Sequence, residues 1–176
     1  MTPAVFFDRD GTLMEDTGYV SDPALVSLLP GALEALPALK KAGFRLVLIT
    51  NQSGIGRGYF TVADYEAVHI RFVELLGADP FDGVYFCPDH PDTASDRRKP
   101  APGMLLEAAR DLDLDLAHSW MIGDRESDLL AGRAAGTRSI LVRSGIGAHA
   151  PTTHADFVAK DLAEAAAFIL RESGAS

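Results

Sequence analysis

Five short apolar runs, each ending abruptly in polar residues, constrain the fold of this chain more than any other feature. The runs are AVFF, RLVLI, GVYF, SWMI and SILV, and segments with helical spacing of apolar residues separate them. None of the runs alternates apolar with polar residues, which is typical of parallel strands buried on both faces. The alternation of strands and helices predicts an α/β fold of three layers, in which helices cover both faces of a central parallel sheet.

Length and composition are those of an ordinary globular protein. The chain has 176 residues, 47% of them hydrophobic and 23% charged, so we expect residues 1–176 to form one domain. The single cysteine excludes an intrachain disulfide and fits a reducing cytoplasm, where we expect the protein as a monomer. The first apolar run is too short for a signal peptide or a membrane span. The formal net charge of −9 argues against nucleic acid and membrane partners.

Local signals mark the helices and two unusual connections. Thr61 and Asp64 form a capping-box-like pair before one helical segment, and Pro37 is expected to bend another helix or move its boundary. Residues 11–29 and 88–100 are longer than ordinary connections in an α/β domain. Long connections of this kind are often functional.

Polar side chains follow three of the apolar runs, in the stretches DRDGT, TNQSG and GDRESD. Ligands of such sheets bind at the carboxyl ends of the strands, where these side chains are expected to meet. The residues concerned are Asp8, Asp10, Thr50, Asn51, Gln52, Ser53, Asp124, Arg125 and Asp128. Any one stretch alone is also typical of a turn or a helix N-cap. Three strand ends with complementary chemistry favour a shared site, to which the 88–100 connection adds Lys99.

The residue types at these strand ends are those of phosphoryl transfer. Several carboxylates form a hard oxygen site suited to Mg²⁺. Hydroxyl, amide and ammonium groups suit phosphate oxygens. An aspartate can also attack phosphorus and form an aspartyl-phosphate. The set therefore predicts a Mg²⁺-dependent enzyme acting on a small phosphorylated metabolite.

At these residues the sequence resembles the haloacid dehalogenase (HAD) superfamily of phosphatases. DRDGT, TNQSGIGRG, RKPAPGM and GDRESD match its four motifs in order, and the resemblance covers nearly the whole chain. It implies a Rossmann-like HAD fold without a cap. Through DTGYV, TNQSGIGRGYFT and RKPAPGMLLEA the chain is most similar to the D-glycero-D-manno-heptose 1,7-bisphosphate 7-phosphatases. Histidinol-phosphate phosphatases are the nearest alternative, and a phosphate-binding protein without catalysis is the alternative of a different class.

The resemblance implies a catalytic and metal-binding role for five residues. Asp8 would be the nucleophile and a Mg²⁺ ligand. Asp10 would act as general acid and base, and its backbone carbonyl would bind Mg²⁺. Lys99 would neutralise Asp8 and the phosphoryl oxygens. Asp124 would complete the metal site, and Asp128 would support it indirectly.

A larger set of residues is expected to bind the substrate or its phosphate. The set is Asp16, Thr17, Gly18, Tyr19, Thr50, Asn51, Gln52, Ser53, Arg57, Arg98 and Arg125. Arg98 is the leading candidate to hold the part of the substrate that does not react. Arg57 is either a ligand of a second phosphate or a surface residue.

The stretch CPDHPDTASDRRKP begins like a zinc loop. Much of this family binds zinc through Cys-x-His and a later Cys-x-Cys, and the matching positions here hold Cys87, Asp89, Ser95 and Arg97. A structural zinc site needs four ligands, usually sulfur and nitrogen. No structural zinc is therefore expected, and Cys87 and His90 are the remaining candidates for one.

Without zinc, something else has to order residues 88–98. The candidates are the prolines of this stretch, or an ion pair of Arg97 with Asp92 or Asp96. The sequence leaves these alternatives open.

Overall fold

The computed structural model describes residues 1–144 and 153–174. The strands and helices follow one another as β1 (Ala4–Phe7), α1 (Ala32–Lys41), β2 (Arg45–Asn51), α2 (Ser53–Gly56), α3 (Val62–Leu76), β3 (Gly83–Cys87), α4 (Gly103–Asp111), β4 (Trp120–Gly123), α5 (Glu126–Ala135), β5 (Arg138–Val142), β6 (Phe157–Ala159) and α6 (Leu162–Glu172). Short 3₁₀ turns lie at Pro23–Leu25 and Leu116–His118. None of the described helices is long and apolar enough to cross a membrane.

The six strands form one parallel sheet in the order β3-β2-β1-β4-β5-β6. The predicted α/β fold with a central parallel sheet is confirmed. β1 pairs with β2 on one side and with β4 on the other, so the strand order reverses at β1. In open α/β sheets, the crevice at this reversal is where ligands bind.

The sixth strand was not predicted from the sequence. It is three residues long and pairs in parallel with β5, with Phe157 opposite Ile140. As the edge strand it is covered less completely, and Val158 is 40% exposed. Three residues with one exposed side chain are too few to show a hydrophobic pattern, which is why the apolar runs predicted only five strands.

Both faces of the sheet are buried, as the unbroken apolar runs predict. All four residues of β1 are fully buried. Because side chains alternate along a strand, Val5 and Phe7 join the hydrophobic cluster that contains α1 and α6. Ala4 and Phe6 join the cluster on the opposite face, which contains α4.

The connection from β1 to α1 adds no cap, which agrees with the predicted capless fold. Residues 11–29 are all described, and their only helical element is one 3₁₀ turn. The connection folds back on itself, with Met14 bridged both to Asp10 and to Leu28. The side chain of Met14 is fully buried. The connection therefore contains no separate domain that could cover the crevice.

Two helix signals can be compared with the structure. The predicted capping box is present at the start of α3, where Asp64 N–H donates to Thr61 Oγ1 at 3.2 Å and Thr61 N–H donates to Asp64 Oδ2 at 2.7 Å. Helix α1 begins at Ala32 and continues through Pro37. Gly31 precedes it with φ at 89°, a left-handed conformation that glycine adopts without strain.

The buried face of α1 differs from the simple three-residue spacing of its leucines. Leu36 and Leu39 are buried, whereas Leu33 is 53% exposed. The helix buries Ala32, Ala35, Leu36 and Leu39, which is the usual spacing of one helical face. Three-residue steps drift around a helix of 3.6 residues per turn, so Leu33 lies outside the stripe.

This orientation predicts different effects for two neighbouring leucines. We expect Leu36→Ala to lower the free energy of unfolding by about 2–5 kcal/mol, because it removes a buried side chain and leaves a cavity. Leu33→Ala is the matched control and should change it by about 0.5 kcal/mol or less. Urea denaturation of both variants measures the difference. Equal losses would contradict the buried face assigned to α1.

Candidate active site

The carboxyl ends of β1, β2 and β4 bring the polar residues that follow them to one edge of the sheet. Asp8 follows the central strand, and its N–H donates to the carbonyl of Ile122 in β4 at 2.9 Å. Thr50 lies near the end of β2 on one side, and Asp124 follows β4 on the other side. The side chains of these three residues are buried or nearly so.

Lys99 lies at the centre of this group. Its Nζ is 2.7 Å from Asp8 Oδ1 and 2.6 Å from Asp128 Oδ1, and it donates to the carbonyl of Ile49 at 2.9 Å. Burial alone would lower the pKa of Lys99, but the carboxylates of Asp128 and Asp8 outweigh it and raise that pKa above its ordinary value. The ammonium group is therefore a fixed positive charge at neutral pH.

The carboxyl group of Asp8 is buried close to both positive and negative side chains. Burial raises its pKa well above the ordinary value. Lys99 acts in the opposite direction, and the carboxylates of Asp128, Asp124 and Asp10 raise the pKa further. More positive charge near Asp8 would therefore favour its ionised form.

Asp124 gives the clearest indication that this site suits a cation. It is fully buried, and neither of its carboxylate oxygens has a hydrogen-bond partner among the described residues. Burial, and then the charge of Asp128, raises its pKa to about 6. The nearest guanidinium nitrogen, Arg125 Nε, lies 4.0 Å from Asp124 Oδ2, and its charge acts in the opposite direction on this pKa. Buried carboxylate oxygens without hydrogen bonds are costly, and a hard cation satisfies them.

The described residues contain one cluster of carboxyl, imidazole or thiol groups with the spacing of a metal site. It is Asp8, Asp124 and Asp128, whose ligand atoms all lie within 4.8 Å of one another. The oxygens of Asp128 are already engaged, one by Lys99 and the other by the N–H of Arg125 at 3.1 Å. Asp8 and Asp124 are thus the more available ligands, and their oxygens fit a divalent cation.

Asp10 is held by several donors at the side of the cluster. Its Oδ2 accepts from Gln52 Nε2 at 2.8 Å, and the same amide nitrogen donates to Thr50 Oγ1 at 2.8 Å. Arg9 donates to both oxygens of Asp10, at 3.1 and 3.2 Å. Sequence reasoning missed Arg9, although it stands between the two aspartates of DRDGT.

Asn51 fixes the backbone of Lys99. Its Nδ2 donates to the carbonyl of Lys99 at 3.0 Å, and its Oδ1 accepts from the N–H of Lys99 at 3.1 Å. The end of β2 thereby holds the loop that delivers the ammonium group.

A cavity of about 610 Å³ opens above these residues. The predicted residues that line it are Asp8, Asp10, Asp16, Gly18, Tyr19, Asn51, Gln52, Ser53, Arg57, Arg98, Lys99, Arg125 and Asp128. Val20, Gly54, Pro91 and Ser127 also line it and were not predicted. Three predicted residues are not part of the lining: Thr50 and Asp124 are buried, and Thr17 is exposed.

Three arginines at the cavity differ in their partners. Arg125 Nη2 donates to Asp16 Oδ2 at 2.8 Å, so its charge is compensated. Among the residues that the structure describes, the side chain of Arg98 donates only to the backbone carbonyl of Asp89, at 3.5 Å. Neither Arg98 nor Arg57 forms an ion pair with any residue that the structure describes. Arg57 lines the cavity and is also exposed, so both alternatives for it stay open.

Arg97 anchors the end of the 88–98 loop through residues outside it. Arg97 pairs with Glu107 of α4 and donates to the carbonyl of Phe86 at 3.1 Å. Arg97 therefore pairs with neither Asp92 nor Asp96, which was one of the alternatives that the sequence left open. Its side chain is 43% exposed and reaches β3 and α4, which the sequence spacing could not indicate.

Cys87 and His90 are not brought together. The thiol of Cys87 donates to Asp89 Oδ2 at 3.3 Å and lies 3.7 Å from Ser95 Oγ. Burial raises the pKa of this thiol. Nδ1 of His90 instead accepts from the N–H of Asp92 at 3.2 Å. Polar contacts thus link Cys87, Asp89 and Ser95, which are three of the four positions at which relatives would carry zinc ligands. The absence of zinc stays a prediction.

Comparison with known proteins gives consistent matches. The HAD-hydrolase-like family model matches residues 96–165. The D-glycero-β-D-manno-heptose-1,7-bisphosphate 7-phosphatase of Yersinia pestis is 44% identical over 155 residues, which are 81% of each chain. The enzyme of the same name from Salmonella typhi is 42% identical over 175 residues, or 92% of each chain.

Solved structures agree with these matches. The D,D-heptose 1,7-bisphosphate phosphatase of B. bronchiseptica, complexed with magnesium and phosphate, superimposes with a TM-score of 0.87 at 35% identity. The match covers 97% of this chain and 99% of that one. The enzyme from Burkholderia thailandensis gives a TM-score of 0.70 at 33% identity and covers 96% and 98%.

The raised pKa of Asp124 predicts a pH-dependent stabilisation by Mg²⁺. Above about pH 6 this carboxyl is ionised and can bind the cation, whereas protons compete below that pH. At 100 times its dissociation constant, a bound ligand adds about 2.7 kcal/mol to the free energy of unfolding. We expect Mg²⁺ to raise the melting temperature at pH 7.5 by several degrees, and by much less at pH 5. Thermal melts with Mg²⁺ and with a chelator measure the effect.

Asp124→Asn is the control for this experiment. Because the folded pKa of Asp124 is raised, its contribution to stability without metal is lost as pH rises from about 4 through about 6. In the variant, stability without metal should no longer decline over this pH range, and Mg²⁺ should raise the melting temperature much less. An unchanged Mg²⁺ effect in the variant would contradict the metal site.

Proposed function

This chain belongs to the haloacid dehalogenase-like (HAD-like) phosphatases, a group of phosphoric monoester hydrolases, and we propose that it hydrolyses the 7-phosphate of D-glycero-D-manno-heptose 1,7-bisphosphate. The observation that carries the proposal is the similarity to heptose bisphosphate phosphatases along almost the entire chain. Asp8, Asp10 and Lys99 at one cavity, with Asp124 buried beside Asp8, support it, because each has the chemistry that the reaction needs.

In the first step, a carboxylate oxygen of Asp8 attacks phosphorus. A bond from Asp8 to phosphorus forms as the bond from phosphorus to the sugar oxygen breaks. Asp10 gives its proton to the departing oxygen, which leaves as an alcohol. Lys99 stabilises the phosphoryl oxygens, because its charge is fixed beside Asp8 and costs no reorganisation during the reaction.

In the second step, water attacks the phosphorus of the aspartyl-phosphate. Asp10, now ionised, takes a proton from that water, and the bond between Asp8 and phosphorus breaks. Inorganic phosphate leaves and both aspartates return to their starting state. One residue thus serves as acid and then as base, which requires Asp10 to keep one position through both steps.

Asp8 and Asp124 would hold Mg²⁺, together with the backbone carbonyl of Asp10. The bound cation would supply positive charge that offsets the carboxylates and attracts the phosphoryl group of the substrate. Asp128 would act indirectly, because its oxygens are occupied by Lys99 and the N–H of Arg125. The buried oxygens of Asp124, which accept no hydrogen bond from the described residues, support this assignment.

The arginines at the cavity favour a doubly phosphorylated substrate over histidinol phosphate. Arg57 and Arg98 line the cavity without carboxylate partners among the described residues, so both are available to a second anionic group. Histidinol phosphate carries an amine in place of a second phosphate, and two guanidinium groups without an ion pair among the described residues would repel it. A binding protein without catalysis would not need Asp8 and Asp10 beside the buried Lys99.

Two substitutions test the chemical roles. Asp8→Asn should abolish turnover while leaving the melting temperature close to that of the parent, because an amide cannot act as the nucleophile. Asp10→Asn should lower kcat by roughly 10²–10⁴-fold for the sugar substrate, with a smaller loss for p-nitrophenyl phosphate, whose leaving group needs no proton. Phosphate release with Mg²⁺ measures both. Turnover by Asp8→Asn would refute the nucleophile, and equal losses for both substrates would refute the acid.

The proposed role of Arg98 predicts a change in specificity. Binding energy from the 1-phosphate can orient the reacting phosphate, so Arg98→Ala should weaken kcat/KM more for a bisphosphate than for a monophosphate. Loss of a hydrogen bond to a charged group, about 1.5–3 kcal/mol, corresponds to a selective loss of roughly 10- to 150-fold. Lys99→Ala should instead damage both substrates alike.

Arg133→Ala is the matched control, because Arg133 is an exposed residue at the end of α5 outside the cavity lining. It should leave the ratio of the two kcat/KM values unchanged. The role of Arg98 is contradicted if its removal affects both substrates equally. The substrate assignment is contradicted if histidinol phosphate is the better substrate of the parent enzyme.

A further inference from the structure

Arg9 is the one arginine that is fully buried among the residues the structure describes. A buried guanidinium group costs several kcal/mol unless its charge and its donors are satisfied. Asp10 satisfies its charge and two of its nitrogens: Arg9 Nε donates to Oδ2 at 3.2 Å, and Nη2 donates to Oδ1 at 3.1 Å, while Nη1 has no hydrogen-bond partner among the described residues. This two-pronged contact is the strongest and most directional pairing of arginine with a carboxylate.

Arg9 also contacts an aromatic ring. Its guanidinium carbon lies 5.1 Å from the centre of the Tyr65 ring, within the range of a cation–π interaction. Tyr65 is a buried residue of α3, and its ring packs against Phe86 of β3 at 4.4 Å. Arg9 therefore connects the packed interior beside α3 with the carboxyl group of Asp10.

The donors around Asp10 are distributed unequally between its two oxygens. Oδ2 receives Arg9 Nε, Gln52 Nε2 at 2.8 Å and the weaker contact of Thr50 Oγ1 at 3.5 Å. From the described residues, Oδ1 receives only Arg9 Nη2. Arg9 thus occupies one lone pair of each oxygen and Gln52 occupies the second lone pair of Oδ2. One lone pair of Oδ1 is left for a proton.

We propose that Arg9 is a positioning residue, which holds Asp10 so that Oδ1 is the oxygen that exchanges the proton during the reaction. The proposal rests on the function proposed above, in which Asp10 is the acid and base. Arg9 is fully buried and does not line the cavity, so it acts only through Asp10. A lysine at this position would keep the charge and lose the two-pronged contact.

The test compares Arg9→Lys with the parent enzyme on substrates whose leaving groups differ in their need for a proton. The substrates are p-nitrophenyl phosphate, phenyl phosphate and the heptose bisphosphate, all with Mg²⁺. We expect kcat for phenyl phosphate and for the sugar to fall at least tenfold more than kcat for p-nitrophenyl phosphate. A merely structural defect would lower all three alike.

A double substitution shows whether Arg9 acts through Asp10. In an Asp10→Asn background, Arg9→Lys should change kcat by less than about threefold, because the group that it positions is already absent. Arg133→Lys, an exposed arginine outside the cavity, is the matched control and should leave all three rates unchanged. Melting temperatures establish that each variant is folded.

Tyr65→Leu provides a second route if Arg9→Lys does not fold. It removes the ring beneath the guanidinium group and leaves the pair of Arg9 and Asp10 in place. We expect a smaller loss with the same preference for the poorer leaving groups. The proposal is overturned if the folded variants slow all substrates equally, or if the effects of Arg9→Lys and Asp10→Asn multiply.

Failure of the proposed function would look different. If Asp10→Asn alone slows all leaving groups equally, Asp10 is not the acid, and the role of Arg9 falls with it. If Asp10→Asn is selective and Arg9→Lys is not, only the positioning role is refuted. If the aryl phosphates react and the heptose bisphosphate does not, the sugar assignment fails, while the two aryl phosphates still test Arg9.

Discussion

The buried ammonium group of Lys99 is the interaction on which the site depends. It joins Asp8 after β1, the carbonyl of Ile49 in β2 and Asp128 in α5, so one charge links two neighbouring strands to the helix that follows β4. Breaking a buried ion pair leaves an uncompensated charge, which costs far more than the pair contributes. Asp8 and Asp128 therefore need Lys99 in order to lie close to each other and to Asp124.

A balance of charges then explains why a divalent cation fits. Four carboxylates, from Asp8, Asp10, Asp124 and Asp128, surround two buried cations. Arg9 is paired with Asp10, and Lys99 is shared by Asp8 and Asp128. Arg125 is compensated by Asp16. When all four carboxylates are ionised, they leave two negative charges that the two buried cations do not balance. Asp124 accepts no hydrogen bond from the described residues that would stabilise its negative charge. Mg²⁺ carries the matching charge and prefers oxygen ligands.

The sequence predicted what depends on local pattern and missed what depends on packing. Asp8 and Asp124 could be predicted because each follows a buried apolar run, and such runs end at one edge of a parallel sheet. The buried position of Arg9 could not, because an arginine between two aspartates is usually solvated. β6 was too short to give a pattern. The partner of Arg97 was missed because Glu107 lies ten positions on, in a helix whose orientation only the fold determines.

The three successive cations before Pro100 have different roles, because one anchors the loop and the other two line the cavity. Arg97 turns toward α4 and pairs with Glu107, which anchors the loop. The side chain of Lys99 turns toward the sheet, and its backbone N–H and carbonyl are both hydrogen-bonded to the side-chain amide of Asn51. Arg98, between two anchored neighbours, lines the cavity and forms no ion pair with the described residues. Because its neighbours fix the backbone, Arg98 can present its charge to a ligand with little further loss of conformational entropy. A chain with a net charge of −9 can thus bind an anionic substrate, because Arg98 and Lys99 line the cavity where that substrate would lie.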